Sequence, residues 1–147
     1  MLELRTDIEI SSTPERVWSI LTDFDSYPGW NPFIRSIEGI ARVGNRLNVS
    51  IQPVGSKAMS FRPVVLAATT NFELRWVGRL LIPGIFDGEH YFQIVPGTTG
   101  RVRLVQGEKF NGLLVGLLKS RLERGTRAGF VAMNQALKAR AEVPLAP

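Results

Sequence analysis

The chain holds one histidine, His90, and no cysteine among its 147 residues. Side-chain chemistry near neutral pH therefore falls to a single imidazole. The same count excludes multi-histidine and zinc–cysteine metal sites, disulfide scaffolds and thiol nucleophiles, so neither a metal nor another cofactor is expected. In Phe86–Val95 a two-residue period puts Phe86, Gly88, His90, Phe92 and Ile94 on one face. That face is apolar, so His90 points inward and Glu89 points away. The turn signal Pro96-Gly97-Thr98-Thr99-Gly100 returns the chain as Arg101–Phe110, whose inward face is Val102, Leu104, Gln106, Glu108 and Phe110. For a turn centred near Thr98, His90 lies opposite Gln106 or one pleat from it, beside Glu108. An imidazole, an amide and a carboxylate on one patch can act in three ways. His90 and Glu108 can form a general acid–base pair. The three can orient a polar group on a bound apolar ligand. They can also be a hydrogen-bonded network that braces the sheet, since buried polar groups must find partners.

Other candidates are weaker in chemistry and clearer in position. Trp76 shares a face with Leu74 and Gly78, as core or as cavity wall. Trp30 and Asn31 sit between Pro28 and Pro32 in a loop that could form a cavity mouth; alternatively the tryptophan plugs the end of the core and Asn31 closes a turn. Asp23 and Asp25 read as acids at a helix start, where capping and the helix dipole favour them. Ser11 and Ser12 read as caps, and Arg62 as a surface residue. No glycine-rich phosphate loop occurs, and the arginines near the C-terminus come without the interleaved aromatics of a nucleic-acid surface. Nucleic acid is not an expected partner.

These residues need elements to hold them. Leu2–Ile10 alternates as a half-buried strand. Ser12 and Glu15 have capping-box spacing, and Pro14 suits a first helical turn, so a short helix follows, with Val17, Trp18, Ile20 and Leu21 as its buried stripe. A second short turn starts near Asp23. Six strand-like runs then follow with no helix between them: Phe33–Glu38, Arg46–Pro53, Lys57–Ala68, Phe72–Leu80, Phe86–Val95 and Arg101–Phe110. From about Gly112 to Glu142 the period becomes helical. Leu118, Leu122, Thr126, Gly129, Phe130, Met133 and Leu137 fall on one face, while Arg121, Arg124, Arg127, Gln135 and Lys138 fall on the other. Gly125 and Gly129 each cost about 1 kcal/mol against alanine inside a helix. Close packing, a bend or room for a ligand would explain them. The tail Val143–Pro147 does not continue the helix.

Length and balance fit one α+β domain over residues 1–147. Hydrophobic residues are 44% and charged residues 21%, which rules out a disordered chain, and the net charge is +5. The charged, alternating N-terminus is not a signal peptide, and the apolar run Leu113–Leu118 is too short to span a bilayer, so a cytoplasmic protein without a transmembrane segment is expected.

The order of elements resembles the START-like, or SRPBCC, superfamily. Thr13-Pro14-Glu15-Arg16-Val17-Trp18 and Leu21–Phe33 look like the opening of its polyketide cyclase/dehydrase-like branch. Phe61-Arg62-Pro63, Leu74–Gly78, Gly88–Phe92 and Glu108–Leu114 continue the likeness. The resemblance implies a helix-grip fold: a curved antiparallel sheet of about seven strands wrapped around the long C-terminal helix, with two short helices after the first strand. It also implies an apolar cavity between sheet and helix. The expected function is carriage or sensing of a small hydrophobic or aromatic molecule, a lipid included. Trp30, Asn31, Phe61, Trp76, Phe92, Leu122, Gly129 and Met133 would wall the site, with His90, Gln106 and Glu108 as its polar contacts. A cyclase or dehydratase using His90 and Glu108 is the alternative the resemblance brings with it. A module that binds a protein or membrane surface through its basic helix face or Trp30 loop is the third, its protein partner unknown.

Overall fold

The computed structural model describes residues 1–80 and 82–144; of the expected helix-free tail, residues 145–147 lie outside this range. Strand β1 (Leu2–Ile10) leads into helix α1 (Pro14–Thr22) and a 3-10 helix at Phe24–Gly29. The cap of α1 is Thr13 rather than Ser12: its hydroxyl accepts from the Arg16 amide at 3.1 Å, with Pro14 in the first turn. Pro14 fixes this, because its ring φ suits the first helical position and makes the residue before it the cap. Among the described residues there are eight strands in two antiparallel sheets, the larger of five strands rather than about seven. Strands β2 (Ile34–Glu38), β3 (Asn48–Ile51) and β4 (Met59–Phe61) make the smaller one. Strands β5 (Val64–Thr69), β6 (Glu73–Leu80), β7 (Phe86–Pro96) and β8 (Val102–Asn111) join β1 in a five-stranded antiparallel sheet of order β1-β8-β7-β6-β5.

The run expected at Lys57–Ala68 splits at Arg62-Pro63. A proline has no amide to give a central ladder; Phe61 ends β4 and Val64 begins β5. The two sheets still touch across this break. The Leu47 amide donates to the Pro63 carbonyl at 2.8 Å, and the Val65 amide donates to the Asn45 carbonyl at 2.9 Å.

The long C-terminal helix packs against the large sheet and runs as α2 (Val115–Arg121), a π-helical turn at Leu122–Thr126, and α3 (Arg127–Ala141). Its buried face holds Leu122, Thr126, Gly129, Phe130, Met133, Asn134, Leu137 and Ala141. That is the expected stripe with Asn134 and Ala141 added; Leu118 is half-buried. Two residues of the opposite face are not idle. Arg127 donates to the Arg5 carbonyl at 3.2 Å and Lys138 to that of Glu9 at 2.9 Å, latching helix to β1. Glu142 adds to the latch by accepting from Lys138 and from the Ser11 amide, which hold its carboxyl below the usual range. This contribution is present above the ordinary carboxylate value and is lost as the pH falls through the depressed one.

Gly129 serves close packing. A Cβ there would overlap Cδ1 of Phe33, a buried ring that meets Phe130 edge-on at 5.4 Å. We therefore expect Gly129→Ala to destabilise the protein by about 1–3 kcal/mol despite its better helix propensity. Chemical denaturation checks this, and a stabilised variant would contradict the packing described. Gly125 lets the β3–β4 loop approach: its carbonyl accepts from the Val54 amide at 3.3 Å, and the site of a Cβ is 3.0 Å from the Val54 carbonyl.

Candidate functional site

A cavity of about 590 Å³ lies between β4, the facing side of β6–β8 and the first half of the long helix. Alternation puts Trp76 and Gly78 of β6, Phe86, Gly88 and His90 of β7, and Glu108 and Phe110 of β8 on that side. Phe61 reaches in from β4, crossing a gap left by Gly78, where a Cβ would be 3.0 Å from the ring. Leu118, Leu122 and Thr126 close it from the helix, the last two within the π-turn. Irregular turns of this kind occur often at functional sites.

His90 is 3% exposed and faces Glu108 directly across the β7–β8 ladder; Phe92, not His90, stands opposite Gln106. The turn is centred on Thr99, one residue later than the Thr98 expected, which moves every partner by two. The imidazole is held on all sides. Nδ1 lies 2.7 Å from Glu108 Oε1 and Nε2 lies 3.0 Å from Gln106 Oε1. Trp76 stacks on the ring at 5.2 Å and 18°, and Phe130 meets it edge-on at 5.0 Å.

A chain of polar side chains behind the ring orients it. The Thr6 hydroxyl donates to the Gln106 carbonyl, so its lone pairs accept from the Asn134 amide NH2 at 2.9 Å. Asn134 Oδ1 then accepts from Gln106 Nε2 at 2.7 Å, which turns Gln106 Oε1 toward His90. Nε2 of His90 must therefore bear a hydrogen. A hydrogen lies between Nδ1 and Glu108 Oε1 at 2.7 Å, and which partner donates it depends on the tautomer. Either form presents a polar group that shares a proton at the cavity wall. Glu108 Oε1 is engaged by His90; Oε2 lies over Gly88, 2.6 Å from where a Cβ would be.

Of the residues expected at a ligand site, Phe61, Trp76, His90, Glu108 and Leu122 line this cavity. Gln106 stands behind His90, Phe92 packs against Trp76 and His90, and Met133 lies in the core. Gly129 faces Phe33. Trp30 packs on Tyr27 at 5.2 Å, and Asn31 Oδ1 accepts from the Phe33 and Ile34 amides at 2.9 Å, closing a turn; neither Trp30 nor Asn31 lines the cavity. The sequence reading missed Phe86 and Phe110 as wall, although both lie on the inward alternation that found His90 and Glu108. It also missed Asn134 and Thr6. A polar Asn134 one residue after Met133, on the apolar stripe, was the available signal. Among the described residues no three His, Asp or Glu side chains gather as metal ligands would.

An antiparallel sheet, a long helix packed on it and a largely apolar cavity between them make a helix-grip fold. The model of the family described as polyketide cyclase / dehydrase and lipid transport matches residues 1–142, and the chain belongs to this family. No curated protein matches. Among solved structures, a START superfamily protein from Mycobacterium smegmatis is 22% identical, with a TM-score of 0.72 over 95% of this chain and 97% of that one. The di-domain ARO/CYC StfQ of the steffimycin biosynthetic pathway is 14% identical, with a TM-score of 0.75 over 95% of this chain and 50% of that one. Norcoclaurine synthase from Thalictrum, in complex with a transition state analogue, is 12% identical, with a TM-score of 0.73 over 95% and 93%. At these identities the likeness is one of fold.

Proposed function

We propose that the protein binds a small apolar or aromatic molecule in this cavity, as a carrier or sensor in the cytoplasm. The observation that carries the reading is the cavity itself. At about 590 Å³ it is within the roughly 300–1,000 Å³ of small-molecule sites. Much of its wall is Phe61, Trp76, Phe86, Phe110, Leu118 and Leu122, with His90 and Glu108 as convergent polar groups. The family's description, which names lipid transport, supports the same reading. Titration of a neutral, environment-sensitive aromatic dye should saturate at one dye per chain, and native mass spectrometry of freshly purified protein should show whether a resident molecule competes. A chain that takes up no dye and holds no molecule would contradict the reading.

The proton shared by His90 and Glu108 favours a second reading, an enzyme of the cyclase or dehydratase type. A ligand seated over Glu108 Oε2 could give its proton to the carboxylate while His90 holds the charge. The family's description and the neighbouring synthase, solved with a transition state analogue, support this possibility.

A further inference from the structure

The charged groups on the cavity wall are unevenly placed. Glu108 is the one carboxylate among the described lining residues, and its side chain is only 17% exposed. Its Oε2 takes no hydrogen bond from any described residue and is accommodated by the missing Cβ of Gly88. Three cations line the same cavity from three separate elements: Lys57 of the β3–β4 loop, Arg79 near the end of β6, and Arg121 at the end of α2. All three are exposed, which puts them at the solvent side, while His90 and Glu108 lie inside. Arg79 has Asp87 only at 4.0 Å, and among the described residues no salt bridge engages Lys57 or Arg121. The wall therefore offers an acceptor at depth, an aromatic middle and an unneutralised positive rim.

Resting on the reading that the cavity binds a small molecule, we propose that its ligand is an amphipathic acid. A hydroxyl at the inner end donates to Glu108 Oε2, a flat apolar body lies against Trp76 and Phe61, and a carboxylate or similar anion remains at Lys57, Arg79 and Arg121. The two ends differ in how salt affects them. Exposed rim charges are screened by added salt, whereas a hydrogen bond to a mostly buried carboxylate is not.

Three naphthalenes test this: one with a hydroxyl and a carboxylate at opposite ends, one with hydroxyls at both ends, and one with the carboxylate alone. The hydroxy acid should bind about tenfold or more tightly than the simple acid, a ratio that Glu108→Gln reduces and salt leaves alone. It should bind roughly three- to tenfold more tightly than the diol, a ratio that vanishes in high salt and in the Lys57→Glu/Arg121→Glu variant. The salt comparison needs no variant, so a misfolded mutant would leave the test intact. If all three bind alike, one per chain, and displace the neutral dye, the cavity reading stands and the amphipathic-acid proposal is overturned. If neither the dye nor any naphthalene binds, both fail together.

Discussion

A carboxylate in place of Met133 is expected to leave little folded protein. Met133 is 0% exposed and belongs to the same core as Phe130 and Leu137. A buried, unpaired charge either remains ionised at a cost of several kcal/mol or is neutralised at a smaller one, and the thioether's packing is lost as well. Against a total stability of about 5–15 kcal/mol this is enough to unfold a marginal domain. Arg124→Asp provides the contrast. Arg124 is exposed in the π-turn and donates only to Ser120 Oγ at 2.9 Å, so its replacement should move stability by about 0.5 kcal/mol or less. Far-UV circular dichroism and urea denaturation of both variants make the comparison. Equal effects would mean that the long helix presents another face to the sheet.

His90→Gln should weaken both the fold and the site. One glutamine amide can donate to Gln106 Oε1 or to Glu108 Oε1, whereas the imidazole serves both, and the stack on Trp76 is lost. Leaving a buried acceptor unmet costs about 1–3 kcal/mol. Affinity for a hydroxyl-bearing cavity ligand, measured in the folded fraction, should fall by the equivalent of one hydrogen bond, about 0.5–1.5 kcal/mol, because Glu108 loses the imidazole that positions it. If the protein turns over a substrate, the rate should fall about 10²–10⁴-fold with binding largely kept. Thermal unfolding and dye affinity that both match the parent chain would remove His90 from the site and from the bracing network.

The fold was legible because each switch in period marks a physical change. Two-residue alternation through β6–β8 and three- and four-residue steps through the long helix placed His90, Glu108, Trp76 and Leu122 on facing surfaces. Local chemistry set the details that alternation could not. Pro63 cut one expected strand into β4 and β5 and opened the sheet into two; Pro14 moved the cap of α1 to Thr13; the turn after Pro96 chose Thr99 as its centre. Trp30 and Asn31, a possible mouth or turn in sequence, are not among the residues lining the cavity, and Asn31 Oδ1 accepts from the Phe33 and Ile34 amides. Sequence cannot distinguish a glycine that makes room for a ligand from one that makes room for a ring, and at Gly129 the ring of Phe33 took the space. Lys57, Arg79 and Arg121 were illegible as a group because their meeting depends on how one loop, one strand end and the long helix converge.

The sole imidazole is also the most direct reporter of the cavity. With one histidine in the chain, nitrogen-15 correlation spectra of the side chain should show a single ring. The hydrogen-bond chain from Thr6 through Asn134 and Gln106 predicts a protonated Nε2 in that spectrum. Adding a neutral aromatic ligand should shift both ring nitrogens and saturate at one ligand per chain, because the ring borders the cavity beside Glu108. A ligand that binds stoichiometrically while the His90 signals stay fixed would place the binding site elsewhere on the molecule.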